Sequence, residues 1–223
     1  MRRPYGFETC KLPPGALTDL DAVQSLSSYP KGALLFMEKQ DSHGIFMLCE
    51  GQVKLSVSSG EGKTLILRIA KAGEVLGLMA VLSRSRYEAT AETCSSCQVA
   101  LVRRDDFLQF VARHPEVYQG IVGQLSASYG GACERLRNVG LQASVYQRVC
   151  RVVLDWVGES KEIEPENEIS LPLTHAEIGE LIGASRETVT RTFRQLREHQ
   201  LIVLKHSTLT ISNRAALENL AAD

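Results

Sequence analysis

Near Asp105-Asp106 the apolar residues of this 223-residue chain change their spacing, and that change limits the folds open to it. Upstream, over 32–103, the apolar residues come in short runs: Ala33-Leu34-Leu35-Phe36, Gly44-Ile45-Phe46-Met47-Leu48-Cys49, Val53-Lys54-Leu55-Ser56-Val57, Thr64-Leu65-Ile66-Leu67-Arg68-Ile69 and Gln98-Val99-Ala100-Leu101-Val102. Alternation with a period of two, broken by turns such as Ser59-Gly60-Glu61-Gly62, predicts antiparallel strands closing into a sandwich or barrel. Downstream, Val117, Ile121, Leu125, Tyr129, Ala132, Leu136 and Val139 recur every three or four positions. That stripe predicts one long amphipathic helix over 114–140 with a seam suited to a second helix. Gly130-Gly131 lies inside it and costs about 1 kcal/mol per glycine relative to Ala, so the pair marks a close backbone approach or a kink. A further helix is predicted over 145–157, with Val149, Val152, Val153 and Trp156 on one face. A Pro-containing acidic loop then runs through Glu168, and the rest, from Leu171, is compact and mostly helical by pattern.

With 44% hydrophobic and 23% charged residues the chain can bury an ordinary core, in one large domain or two small ones. No stretch approaches eighteen uninterrupted apolar residues, and Met1-Arg2-Arg3-Pro4-Tyr5 lacks the apolar segment of a secretory signal, so the expectation is a cytoplasmic protein with no membrane partner. Six cysteines, at 10, 49, 94, 97, 133 and 150, lack the dense spacing of a disulfide framework and read as thiols. A net charge of −1 gives no general support for a nucleic-acid partner, which must be argued from local charge. His43, His114, His175, His199 and His206 form no metal-ligand spacing, and no Gly-rich phosphate loop or Ser-centred elbow is present, so no enzyme is indicated.

The informative local pattern begins at Thr174-His175-Ala176-Glu177, a capping box in which Thr and Glu three residues apart satisfy two orphan backbone donors. The helix it opens carries Ile178, Leu181 and Ile182 inward and stops at Gly183, with Gly179 leaving room where two helices cross. Ser185 caps a second helix that buries Val189, Phe193 and Leu196 and turns Arg186, Glu187, Thr190 and Arg191 elsewhere. The alternating run 201–211 follows as a β-hairpin wing. Helix, glycine turn and helix at this spacing is the helix-turn-helix. Segment 185–199 holds Arg186, Arg191, Arg194 and Arg197 against Glu187 and Glu198, a locally positive surface. In a major groove Arg donates to guanine and a carboxylate accepts from cytosine, so double-stranded DNA is the expected partner.

Through Glu177-Ile178-Gly179, Gly183 and Ser185-Arg186-Glu187-Thr188-Val189 followed by Arg191, the chain resembles the cyclic-AMP receptor protein/FNR family of bacterial regulators over nearly its whole length. The resemblance implies an α+β architecture. Residues 1–113 form a cyclic-nucleotide-binding-like antiparallel β-roll sensor, 114–142 a dimerisation helix and hinge, with the homodimer formed through 114–140, and 143–223 a winged helix-turn-helix. It also implies DNA contacts by Thr174, His175, Ser185, Arg186, Glu187, Thr190 and Arg191, half-sites like TGTGA in an inverted repeat, and RNA polymerase as a further partner.

The same resemblance places the family's phosphate-binding cassette at Gly73-Glu74-Val75-Leu76-Gly77-Leu78 and Arg86-Tyr87-Glu88-Ala89-Thr90-Ala91-Glu92. Gly77, Leu78, Tyr87 and Glu88, with Cys133 on the long helix, are then the effector-pocket positions. Leu78 stands where cyclic-AMP binders carry Glu, and Glu88 stands where they carry Ser beside a phosphate-binding Arg. Leu accepts nothing from a ribose hydroxyl and a carboxylate repels a phosphate, which argues against cyclic AMP unless Arg84 or Arg86 serves the phosphate in a shifted alignment. Cys97 resembles the β-roll ligand of iron-sulfur members, and Cys10 lies in the region that supplies the others. Four thiolates are needed and that region offers one, so the ligand set is incomplete. Cys10, Cys94 and Cys97 stand as redox candidates, no metal site is indicated, and the effector is unknown. The alternatives are a cyclic-nucleotide-responsive regulator, or a protein-interaction module with a degenerate DNA-binding domain.

Overall fold

The computed structural model describes residues 14–140, 144–159, 168–171, 173–205 and 208–222, which fall into two units divided after Ala132. The N-terminal unit opens with α1 (Pro14–Val23) and β1 (Gln24–Tyr29), then β2 (Leu34–Phe36), β3 (Gly44–Glu50), β4 (Gln52–Ser58), β5 (Thr64–Lys71) and β6 (Val75–Leu76). A short α2 (Leu78–Leu82) precedes β7 (Thr90–Thr93) and β8 (Cys97–Arg103), after which come α3 (Arg104–Arg113) and α4 (Val117–Gly140). The strands form two four-stranded antiparallel sheets, β1-β8-β3-β6 and β2-β7-β4-β5.

β3 explains how these layers stack. Its continuous apolar run is buried on both faces, and its period of two divides it between two cores. Phe46 and Leu48 join Phe36, Val53, Tyr87 and Val99 between the sheets. Ile45, Met47 and Cys49 face the other way, onto Leu20 of α1, Phe107 and Phe110 of α3, and Val117 and Ile121 of α4. Only the first turns of the α4 stripe are consumed by this packing. Tyr129 is 74% exposed and Leu136 is 73% exposed in the single chain. Gln124 fastens α4 to the roll with both ends of its amide, accepting from the Val75 amide at 3.0 Å and donating to the Val75 carbonyl at 2.6 Å.

The C-terminal unit contains α5 (Val145–Glu159), β9 (Glu168–Ser170), α6 (His175–Ile182), α7 (Arg186–Glu198), β10 (Ile202–Lys205), β11 (Thr208–Ile211) and α8 (Arg214–Ala222). Its sheet has the order β10-β11-β9, so the expected two-stranded wing carries a third strand. Glu168, read as the end of an acidic loop, instead starts β9 and pairs with Thr210.

Several expectations change. The long helix begins at Val117, because His114 ends α3, its amide donating to the Phe110 carbonyl. α4 runs unbroken through Gly130-Gly131, and nothing lies within 4 Å of where a Cβ on Gly130 would sit, so within one chain that glycine marks neither a kink nor a close approach. β1, β6 and β7 were not legible as apolar runs. The end of the 114–142 segment expected to carry the hinge, residues 141–142, lies outside the described residues.

His114 joins α1, α3 and the turn that leads into α4. Its Nε2 lies 2.9 Å from the Asp19 carboxylate of α1 and its Nδ1 lies 3.3 Å from Glu116, with the ring 5.0 Å from that of Phe110. The hydrogen bond to Asp19 raises its pKa, burial opposes this, and Glu116 adds to the rise. A raised folded-state pKa gives a stabilisation that is fully present below the imidazole's ordinary value of 6.5 and is lost as pH rises through the elevated value. Melting curves of wild type and His114→Gln are therefore expected to differ most at about pH 5 and to converge at alkaline pH. A gap independent of pH contradicts this account.

Candidate nucleic-acid interface

The two helices α6 and α7 are placed by three small residues and two hydroxyls. Thr174 accepts from the Glu177 amide at 3.3 Å while the Glu177 carboxylate accepts from the Thr174 amide at 2.9 Å, completing the predicted capping box. α6 ends at Gly183, whose φ of +67° is the left-handed conformation that side chains with a Cβ resist. The chain then folds back so that the Ala184 amide donates to the Gly179 carbonyl at 2.9 Å. A Cβ on Gly179 would lie 2.5 Å from the Ala184 carbonyl oxygen and 3.5 Å from the Arg186 amide nitrogen, so this glycine leaves room for the turn's backbone and for the start of the second helix. Ser185 accepts from the Thr188 amide at 3.2 Å and starts α7.

One side of α7 is buried through Val189, Thr192, Phe193 and Leu196; Thr192 was not foreseen there, and its hydroxyl donates to the Thr188 carbonyl at 2.9 Å. The opposite side exposes Arg186, Glu187, Thr190 and Arg191, which with Arg194 line a shallow depression of about 430 Å³. Arg194 had been noted only as charge; its spacing of four from Thr190 on the same helical face was the available signal. It pairs with Glu198 at 2.8 Å, whereas Arg186 and Arg191 make no ion pair among the described residues. Hydrogen bonds to its own backbone and to the Ser185 hydroxyl keep the Glu187 carboxyl below the usual range. Of the expected contact residues, Arg186, Glu187, Thr190 and Arg191 lie together on the exposed side of α7, while Thr174 caps α6 and Ser185 caps α7. His175, the first residue of α6, leans on α7: its ring stacks on Phe193 at 4.8 Å and its Nδ1 lies 3.0 Å from the Thr190 hydroxyl.

The effector-pocket residues meet a different environment. Gly77 has φ +77°, and a Cβ there would come within 2.8 Å of the Tyr87 ring. Tyr87 is buried between the sheets, stacked on Phe36 at 4.0 Å, and its hydroxyl donates to the Gly44 carbonyl at 2.7 Å while the His43 and Gly44 amides donate to it at 3.2 Å. Burial pushes its pKa up. Leu78 is buried in the core on the helix side of the roll, Glu88 is exposed, and Cys133 is exposed on α4. Leu78 and Tyr87 therefore serve packing, and Gly77 lies against the Tyr87 ring. Cys94 and Cys97 are both buried and share an acceptor, the Gln52 carbonyl, which takes the Cys94 amide at 2.8 Å and the Cys97 thiol at 3.4 Å. Cys10 lies outside the described residues. Cys49 and Cys150 are buried, and burial pushes the Cys150 thiol up to about 11. No group of three or more potential metal ligands occurs among the described residues, and no described helix is long and apolar enough to cross a membrane.

Since Gly179 is filled against by backbone, Gly179→Ala is expected to destabilise the C-terminal unit by about 1–3 kcal/mol and to weaken DNA binding with it. Chemical denaturation followed at Trp156, the single tryptophan, reads the first effect directly. Wild-type stability in that variant disproves the close approach.

Residues 26–114 match the cyclic nucleotide-binding domain family, and residues 147–220 match the Crp-like helix-turn-helix domain family. The chain is 24% identical over 187 residues to the cAMP-activated global transcriptional regulator CRP of Haemophilus influenzae, covering 83% of each. It is 25% identical over 194 residues to the transcriptional activatory protein AadR of Rhodopseudomonas palustris, covering 86% of this chain and 79% of that one. The structure of FixK2 from Bradyrhizobium japonicum shares the fold, with a TM-score of 0.80 at 21% identity over 90% of this chain and 98% of that one. With both halves matched in the order in which the roll and the helix-turn-helix occur, the chain belongs to the CRP/FNR family of transcription regulators.

Proposed function

We propose that this regulator acts in the cytoplasm as a homodimer joined along 114–140, reads an inverted repeat with TGTGA-like half-sites through Arg186, Glu187, Thr190 and Arg191, and contacts RNA polymerase from that position. The observation that carries the reading is the division of α7 into a buried apolar side and an exposed side bearing Arg186 and Arg191, which make no ion pair among the described residues. A recognition helix of this kind enters the major groove with its N-terminal residues toward the base edges. There Arg donates in bidentate fashion to guanine O6 and N7, and Glu187 accepts from cytosine N4. The dimer is supported by Tyr118, Val122, Tyr129 and Leu136, large apolar side chains exposed along α4 and unburied in a single chain. Two recognition helices then meet half-sites one DNA turn apart, roughly 34 Å.

The effector is a ligand or redox signal other than cyclic AMP bound in the manner of the cyclic-AMP receptor protein. Leu78 and Tyr87 pack inside the roll, and Glu88 puts a carboxylate where a phosphate would need a cation. Cys10, Cys94 and Cys97 are the thiols to examine for a redox signal.

Arg186→Ala and Arg191→Ala are each expected to lose about 1–3 kcal/mol of discrimination between operator and scrambled duplex in fluorescence anisotropy, while weak, salt-sensitive binding survives. Unchanged discrimination refutes the assignment. Millimolar cyclic AMP is expected to leave the thermal midpoint where it was, since a ligand that binds only the folded state must raise it; a clear rise overturns the effector reading.

A further inference from the structure

Thr190 lies on the recognition face with its hydroxyl turned back into the protein. Its hydroxyl donates to the Arg186 carbonyl at 2.9 Å, one turn earlier in α7. The same oxygen lies 3.0 Å from Nδ1 of His175, on the neighbouring helix. A hydroxyl has a single proton, and a carbonyl only accepts, so the imidazole donates Nδ1–H to Thr190 and completes a chain from His175 through Thr190 to Arg186. Were the proton to swing toward Nδ1 instead, it would still be held inside the protein. In a helix Thr divides between two side-chain rotamers. The imidazole selects one of them, and the imidazole is itself held by stacking on Phe193 with the two rings 14° from parallel. Burial and then the charge of Arg186 lower the His175 pKa, which keeps the ring neutral near pH 7.

Resting on the DNA-reading role argued above, we infer that His175 is a positioning residue for base selection: by fixing the Thr190 hydroxyl against the protein it leaves that side chain a methyl group and no donor to offer DNA. A residue with no donor gains nothing from the acceptors N7 and O6 of guanine, N7 of adenine or O4 of thymine. A methyl group gains from the thymine C5-methyl group. The pair therefore sets a preference for thymine at one position of each half-site, in a way that a sequence reading of Thr190 as a polar contact residue does not anticipate.

The test is selection of binding sites by the full-length protein from a duplex pool with randomised half-sites, followed by anisotropy on the selected duplex with each thymine replaced in turn by deoxyuridine. Wild type is expected to lose about fourfold in affinity at one such position per half-site, the value of one buried methyl group. Thr190→Val, which keeps the methyl and removes the hydroxyl, is expected to select the same half-site with the same loss. Thr190→Ser, which does the reverse, is expected to lose the preference there and to become indifferent to deoxyuridine. His175→Phe keeps the stack on Phe193 without the hydrogen bond and is expected to flatten the preference at that position alone. His175→Asn restores a donor where Nδ1 stood and is expected to recover it. The inference is overturned if Thr190→Ser keeps the wild-type preference while Thr190→Val loses it, or if His175→Phe selects as wild type does. If wild type itself enriches no sequence, the DNA-reading role fails and the inference falls with it.

Discussion

The geometry of the interface depends on one close backbone approach, the Ala184 carbonyl over Gly179. A sharp turn between two helices must reverse the chain and still leave the next residue free to cap. Gly183 supplies the reversal by adopting φ +67°, and Gly179 supplies the space into which the reversed chain folds. Ser185 then begins α7 at a fixed place and direction, and every side chain proposed to meet DNA takes its position from that start. The hydrophobic contribution follows from the same constraint: Val189, Phe193 and Leu196 reach the buried side only because α7 leaves the turn at that angle. Backbone proximity thus comes before side-chain chemistry here, and the arginines depend on a glycine that touches no ligand.

In the N-terminal unit Tyr87 has a comparable role. A buried tyrosine needs partners for its hydroxyl, and this one finds three on the backbone of His43 and Gly44 and a fourth, at 3.5 Å, in Nδ1 of the His43 ring. Its ring lies against Phe36 and against the bare Cα of Gly77, so the segment that begins α2 and the segment that leads to β7 are packed on each other. The Tyr87 side chain thereby joins the core between the two sheets. An effector that acts on this unit has to engage surfaces other than the Tyr87 ring, or else displace it against the stacking and hydrogen bonds that hold it.

How far this was legible from the sequence depended on whether the signal was local. The capping box at Thr174, the stop at Gly183 and the cap at Ser185 are local chemistry, and each stands where the residues indicate. Strands with their own apolar pattern, such as β3 and β5, were likewise legible. β1 was not: its sequence Gln-Ser-Leu-Ser-Ser-Tyr is mostly exposed, and only pairing with β8 makes it a strand. β9 is a three-residue strand that exists by pairing with β11. The helix stripe over 114–140 described two environments at once, since Val117 and Ile121 pack on the roll and Tyr129 and Leu136 are exposed. Periodicity shows that a face is apolar and leaves open what covers it. For the same reason Leu78 and Tyr87, aligned with a binding cassette, could not be recognised from the sequence as packing residues.

The charge balance, which argued against a nucleic-acid partner at the level of the whole chain, reads differently once charge is placed. The chain carries −1 overall, while 185–199 carries four arginines and two glutamates, a local charge of +2. At physiological ionic strength charges are screened beyond about 8 Å, so a groove responds to the charges lining it and not to the total. Of those arginines, Arg194 is engaged by Glu198, while Arg186, Arg191 and Arg197 make no ion pair among the described residues; Arg186 and Arg191 lie in the N-terminal half of α7, the half proposed to face the bases. Each phosphate neutralised contributes to sequence-independent binding and steepens its salt dependence. A protein with few such contacts and a net negative remainder binds arbitrary DNA weakly, and its selectivity has to come from the few side chains that reach the bases. That places unusual weight on how rigidly those side chains are held, which is what the capped, glycine-packed start of α7 provides.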